Sequence, residues 1–309
     1  MRILFITATR IGDAVLSTGL LDHLPRTDPE ADITIVCGPA AEGVFARMPR
    51  RRETIIVDKR RFDVHWLELW WRTVPTLWDL VVDLRGSALS FLVPARRRAV
   101  MRGGRRPGHR LGHLGSVLQL NPPPLPVVWT AAADQSRAEA LIPGPGPVIA
   151  PVIALGPTAK WEEKVWPAER FVALFRGLAG ALPGARPAVF AGPGPGERRA
   201  AERVLAGLPG AIDLAGRLSL AEVAACFARC ALYVGNDSGL MRLAAAAGVP
   251  TLGLFGPSSA SEYAPAGRCT GFVAAPGPEG AAPIAALGVA EALAAARELL
   301  ARAALARAA

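Results

Sequence analysis

Strand-forming runs alternate with helical stretches along nearly the whole chain, and a Pro- and Gly-dense patch interrupts the alternation once. The length of 309 residues also exceeds what a single hydrophobic core usually serves. These three observations predict an α/β protein of two tandem doubly wound parallel-sheet domains, with the helices covering both faces of each sheet.

The elements follow in order. Residues 2–6 are a short run of strand formers, followed by a turn and then the amphipathic stretch 14–24, which together read as strand, loop and helix. Residues 31–37, 53–57 and 79–84 read as three further strands, with a tryptophan-rich helical segment between the last two. Pro and Gly accumulate around residues 122–126 and again over 142–157, most densely from Leu141 to Pro147, which places a domain boundary near residue 145. A second series then runs strand 148–155, helix 168–182, strand 187–191, helix 197–208, strand 212–214, helix 219–228, strand 232–234, helix 240–247 and strand 251–255. Residues 289–307 are rich in Ala, Leu, Glu and Arg and form a terminal helix. The predicted organisation is a first domain over 1–145, a second over 146–285 and a C-terminal helical segment over 286–309.

Composition narrows the function classes. The uncharged stretches near 141–159 and 243–261 are broken by Pro and Gly, so neither reads as a membrane span. Too few apolar residues precede Arg10 and Asp13 for the core of a secretory signal, so a cytoplasmic protein is expected. Cys37, Cys226, Cys230 and Cys269 suggest neither a disulfide framework nor a zinc ribbon. Cys226 and Cys230 share a helical face, where buried thiols are the ordinary outcome, and no metal is assigned to them.

The net charge of +9 is unevenly placed. Leu84 to Ala133 contains no acidic residue, yet Arg85, Arg96, Arg97, Arg98, Arg102, Arg105, Arg106 and Arg110 all fall there. An anionic partner such as a phosphorylated lipid headgroup or a nucleic acid fits, and a solvated basic loop is the plain alternative. No finger or helix-turn-helix pattern accompanies the charge, so nucleic acid is not expected. Trp66, Trp70, Trp71 and Trp78 cluster near Lys59, Arg60, Arg61 and Arg72. Burial in the first core is the favoured reading of these indoles, and contact with a headgroup layer is the other.

Two turns carry the chemistry. Ile11-Gly12-Asp13-Ala14 follows the first strand, and Gly235-Asn236-Asp237-Ser238-Gly239-Leu240-Met241 follows Leu232-Tyr233-Val234. Each places an aspartate at the mouth of a strand-to-helix turn. In open parallel sheets ligands bind beyond the carboxyl ends of the strands, where helix N-termini offer unpaired amides. A phosphate fits the second turn, although Asn, Asp and Ser are also ordinary N-caps.

Three segments carry a closer likeness: Leu214-Ala215-Gly216-Arg217-Leu218-Ser219, Tyr233 through Ala246, and Gly248-Val249-Pro250-Thr251 with Leu254-Phe255-Gly256-Pro257-Ser258. In order and spacing they resemble the C-terminal half of the bacterial lipopolysaccharide heptosyltransferase family, glycosyltransferase family 9. Arg2-Ile3-Leu4 with Ile11-Gly12-Asp13-Ala14-Val15-Leu16 resembles the opening of the same family. The likeness is strong over 210–260, clear over 1–25 and looser elsewhere.

The resemblance implies the GT-B architecture, two Rossmann-like domains facing a cleft, with the donor on the second and the acceptor on the first. The implied reaction is inverting transfer of a heptose or related sugar from a nucleotide diphosphate sugar, ADP-heptose in this reading, to the lipid A and inner-core acceptor. Asp13 matches the family's catalytic aspartate and is the candidate general base. Its ordinary alternative is a cap of the first helix.

Lys164 resembles the phosphate-binding lysine that meets the leaving diphosphate. Thr158, Lys160, Asn236, Ser238 and Gly239 join it on the donor side, and Asp237 is donor-binding without a finer role. Glu197 lies where the family has a ribose-binding glutamate, or is an ordinary first-turn helix charge. Arg242 stands where many members have histidine, which puts the donor's identity in question. Arg10, Gly12 and Arg85 fall on the acceptor side. No cofactor is required and Mg2+ is not indicated. The expected partners are the donor, the lipid A and core oligosaccharide acceptor and the anionic inner leaflet, with the protein peripheral to that leaflet. The competing readings are a non-catalytic nucleotide-sugar or glycan-binding relative and a family member using another donor. A nicotinamide-dependent oxidoreductase lacks the Gly-x-Gly-x-x-Gly run after the first strand.

Overall fold

The computed structural model describes residues 1–58, 64–103, 107–142 and 150–308. They form two compact units, Met1–Trp129 and Thr130–Ala309. The first unit runs β1 (Arg2–Ile6), α1 (Ile11–Thr27), β2 (Asp32–Cys37), α2 (Glu42–Phe45), β3 (Arg51–Ile56), α3 (Val64–Thr73), β4 (Trp78–Asp83), α4 (Leu89–Leu92), β5 (Ala95–Val100) and α5 (Arg110–Val117). Its five strands are all parallel, in the order β3-β2-β1-β4-β5. Strand β1 is apolar from Ile3 to Ile6 because it is central and buried on both faces. The strand order reverses between β1 and β4, so the loops leaving these two strands flank the crevice where such sheets bind ligands.

The second unit runs α6 (Ala132–Leu141), β6 (Val152–Gly156), α7 (Ala168–Ala179), β7 (Arg186–Val189), α8 (Pro195–Gly207), β8 (Ile212–Asp213), α9 (Leu220–Phe227), β9 (Leu232–Asn236), α10 (Gly239–Ala246), β10 (Thr251–Phe255), α11 (Ala260–Tyr263), β11 (Thr270–Ala274) and α12 (Val289–Ala308). Its six strands are also parallel, in the order β11-β10-β9-β6-β7-β8. The reversal here lies between β6 and β9. Terminal helix α12 belongs to this unit, because Ala292, Ala296 and Leu299 are buried in its core and the helix packs on α7, β10 and β11.

The predicted fold class, two doubly wound parallel sheets, holds, with four local corrections. The units divide at Trp129 rather than near 145, because α6 packs on α9 of the second unit. The Pro/Gly patch from Pro143 to Pro147 lies outside the described residues. The run Ala95–Val100, read from sequence as a basic cluster, is an edge strand, and β11 is a second unpredicted edge strand. Consecutive arginines on an edge strand suit solvent and discourage pairing with another chain. Of the tryptophans, Trp78 is buried and Trp66 and Trp70 pack on the first core, whereas Trp71 is exposed. Lys59, Arg60, Arg61, Arg105 and Arg106 lie outside the described residues.

Burial raises the thiol pKa of Cys37 to about 12 and that of Cys226 to about 11, and it pushes Cys230 up as well. These groups are poor nucleophiles and poor ligands at neutral pH. Among the described residues, no helix is long and apolar enough to cross a membrane.

Local capping is explicit at α9. The Ser219 hydroxyl accepts from the amide of Glu222, and the Glu222 carboxylate accepts from the Ser219 amide at 2.8 Å. Replacing Ser219 with Ala is expected to cost about 1 kcal/mol in urea denaturation, and an unchanged midpoint would show that the box contributes nothing.

Candidate functional site

In the first unit the chain leaves β1 at Ile6 and enters α1 at Ile11, with Arg10 at the N-cap. Asp13 therefore sits inside the first turn of α1 rather than in the turn before it. The cap reading of Asp13 does not hold, because Arg10 occupies that position and makes no side-chain cap bond. A carboxylate in this first turn is favoured by the amides and dipole at the helix start. It lines a cavity of about 370 Å³ together with Thr9, Arg10, Arg85, Arg102 and Arg110. Arg10, Arg85 and Asp13 therefore line one cavity. Gly12 is buried within α1 and is not among the lining residues, because the helix begins one residue before it.

Arg85 reaches the cavity from a turn that Asp83 organises. Asp83 is wholly buried, and one carboxylate oxygen accepts from the amides of Arg85 (2.8 Å) and Gly86 (3.1 Å). The other accepts from the amide and hydroxyl of Ser87, at 2.7 and 2.6 Å. Gly86 has φ +63°, and a Cβ there would run into the carbonyl of Met101, so the turn needs glycine on both counts. Sequence reasoning missed Asp83, and it took Arg102 and Arg110 only as part of a charge run.

In the second unit the site gathers at the carboxyl ends of β6, β9 and β10. Gly235 and Asn236 are the last residues of β9 rather than loop. Asp237 follows and Ser238 caps α10, its hydroxyl accepting from the Met241 amide at 3.3 Å. The cap takes the Met241 amide, and Gly239 and Leu240 precede it at the start of α10, where a helix favours an anion.

Lys164 Nζ donates to Asp237 Oδ2 at 2.6 Å, and Arg242 Nη2 meets Oδ1 at 3.4 Å. The three side chains are 14, 5 and 10% exposed in the order Lys164, Asp237, Arg242. Two cations thus converge on one carboxylate at the end of β9, largely out of water, where the start of α10 also favours an anion.

The lysine is positioned by its neighbours. Trp166 is fully buried, packs edge-on against Phe171 and donates its indole N–H to the Leu287 carbonyl at 2.9 Å. Its backbone amide donates to Asn236 Oδ1 at 3.1 Å. Asn236, predicted as part of the phosphate cradle, thus clamps the lysine-bearing segment to the end of β9. Lys164 also lies 4.8 Å from the Trp161 ring centroid, and Arg242 lies 5.4 Å from that of Tyr263.

Asn236 Nδ2 and Ser258 Oγ are buried with no hydrogen-bond partner among the described residues. Each such group costs about 1–3 kcal/mol unless a ligand or water satisfies it. Thr158 is buried just beyond β6, whereas Lys160 is exposed. Glu197 lies in the first turn of α8, with its carboxylate folded against Gly192 and Gly194. Among the described residues, no cluster of His, Cys, Asp and Glu fits a metal ion.

Residues 117–280 match the family described as glycosyltransferase family 9 (heptosyltransferase). The chain belongs to glycosyltransferase family 9. It is a glycosyltransferase, and the matched span contains Lys164, Asn236, Asp237 and Arg242. The lipooligosaccharide heptosyltransferase 2 of Haemophilus influenzae is 26% identical over 305 residues, covering 86% of each chain. A family 9 glycosyltransferase structure from Veillonella parvula superposes with a TM-score of 0.83 at 22% identity, covering 97% of each chain. The ADP-heptose lipopolysaccharide heptosyltransferase II of Escherichia coli gives 0.78 at 20% identity, covering 98% of this chain and 99% of that one. These likenesses show the fold, two parallel-sheet units of the GT-B type.

Replacing Asp237 with Asn leaves Lys164 and Arg242 without their shared counter-charge. The ligand-free protein is expected to lose about 3 kcal/mol in urea unfolding, and a loss below about 1 kcal/mol would show that the trio is not coupled.

Proposed function

We propose that this glycosyltransferase moves a heptose from ADP-heptose to a hydroxyl of the lipopolysaccharide inner core, with inversion at the anomeric carbon. The observation that carries the reading is the pair of cations, Lys164 and Arg242, gathered on Asp237 beside the N-terminus of α10. Cations and a helix start together favour a diphosphate there. The names of the Haemophilus influenzae and Escherichia coli relatives support heptose as the sugar and ADP as its carrier.

In this mechanism the acceptor oxygen attacks the anomeric carbon as its proton passes to the Asp13 carboxylate. The new C–O bond forms on the face opposite the leaving group. The bond from the anomeric carbon to the diphosphate breaks, and its electron pair stays on the phosphate oxygen of ADP. Lys164 and the amides of Ser238 and Gly239 stabilise that growing charge, and Arg242 supports them through Asp237. With two cations beside the leaving group, the reading requires no metal ion. Glu197 takes the ribose and Thr158 a phosphate oxygen.

The arginines around Asp13 suit an acceptor carrying several negative charges, as phosphorylated lipid A does. The protein then works in the cytoplasm at the inner leaflet. Arg242 in place of the histidine of many members also supports a second reading, in which the donor is a different nucleotide sugar.

Changing Asp13 to Asn should lower transfer about a thousandfold while ADP affinity stays at the wild-type value. Full activity in that variant would remove Asp13 from the mechanism. Changing Lys164 to Ala should weaken ADP binding by about 2 kcal/mol, roughly thirtyfold in calorimetry. Unchanged affinity would remove Lys164 from the diphosphate site.

A further inference from the structure

We infer that the outer face of α3 and α4 in the first unit is a docking surface for an anionic lipid bilayer. The inference deepens the proposed function, since it assigns the surface by which the enzyme meets a lipid-borne acceptor.

Helix α3 is apolar in two directions. His65, Leu69 and Thr73 are buried, and Trp66 and Trp70 pack on the core, which accounts for the inner side. Val64, Leu67 and Trp71 follow at i, i+3 and i+7 on the opposite side, and all three are exposed. Helix α4, which contacts α3, adds Phe91 and Leu92, both more than half exposed. Five large apolar side chains on two adjoining helices exceed the scatter of single surface residues and mark an interaction site.

This exposure is held in place. Trp70 donates its indole N–H to the Leu92 carbonyl at 3.0 Å. Arg98 donates to the carbonyls of Ser90 at 2.7 Å and Val93 at 2.9 Å. Two long side chains therefore brace a four-residue helix so that Phe91 and Leu92 point to solvent.

Charge indicates the occupant. The stretch from Leu84 to Ala133, which supplies α4, β5 and three of the four cavity arginines, contains no acidic residue. On the neighbouring elements Arg72 is paired with Glu53 at 3.0 Å and Arg96 with Asp79 at 3.5 Å, while Glu68 and Arg97 are exposed. The chain links this face to the cavity. The Arg85 guanidinium lies 5.3 Å from the ring centroid of Trp66 on α3, and α4 follows the Asp83–Ser87 turn that carries Arg85. Trp, Phe and Leu beside arginine is the composition that seats at the boundary of headgroups and acyl chains. A bilayer touching this face brings anionic headgroups to the mouth of a cavity built for anions.

The test is co-sedimentation with vesicles of phosphatidylglycerol and phosphatidylcholine, or of phosphatidylcholine alone, with no nucleotide or acceptor present. The wild type is expected to pellet with the anionic vesicles and not with the neutral ones. The Leu67→Ser, Trp71→Ser, Phe91→Ser triple variant should partition at least about tenfold more weakly, with melting temperature and ADP affinity unchanged. Failure of the wild type to pellet, or equal pelleting of the variant, overturns the inference. So does a wild-type dimer, seen by sedimentation velocity, that the variant dissolves, because the face is then a contact between copies. Failure of the wild type to bind ADP would count against the proposed transferase reaction and leave the vesicle result standing.

Discussion

The second unit's site is organised around the ion pair between Lys164 and Asp237. A carboxylate beside a diphosphate would ordinarily repel it, so its presence needs a physical account. Here both oxygens of Asp237 are engaged by cations. Asp237 then holds Lys164 and Arg242 near each other against their own repulsion and in a fixed geometry. The fold commits several parts to this arrangement. Trp166, anchored in the core and hydrogen-bonded to Asn236, fixes the lysine segment, while Ser238 starts α10 immediately after the aspartate. Preset donors that need no rearrangement are what a site stabilising a leaving anion requires.

The two units apply one topology to related electrostatics. Each has a parallel sheet whose strand order reverses beside its first strand, and each places its polar residues at the carboxyl ends flanking that reversal. In the second unit two cations surround one carboxylate. In the first, a carboxylate in the opening turn of α1 stands among four arginines that reach one cavity from the loops after β4 and β5, the start of α5 and the N-cap of α1. Buried Asp83 does for Arg85 what Asn236 does for Lys164, since each takes backbone amides and so fixes the segment that bears the cation.

Most of the fold is legible in the sequence because central strands such as β1, β9 and β10 are buried on both faces and read as apolar runs between turn signals. The edge strands are not. Strand β5 contains Arg96, Arg97 and Arg98, which hide any alternation, and one paired edge suffices to form it. The boundary is misplaced for a related reason: Pro and Gly mark a break in composition, whereas α6 joins the second unit through packing on α9 that no local pattern encodes. At the site, Asp13, Lys164 and Asp237 are recognisable from their places near strand ends. Their partnerships are not, because Lys164 and Asp237 are 73 residues apart and meet only through the sheet. Asp83 escapes notice because its work is done on backbone amides, which leave no trace in side-chain spacing.

A diphosphate held by Lys164 and the start of α10 should stabilise the protein against unfolding. Thermal unfolding with ADP, AMP or adenosine at equal millimolar concentration tests it most directly, since a ligand at a hundred times its Kd stabilises by about 2.7 kcal/mol. The account predicts a clear rise in Tm with ADP, a smaller one with AMP and almost none with adenosine. Equal stabilisation by adenosine and ADP, or none by either, would contradict it.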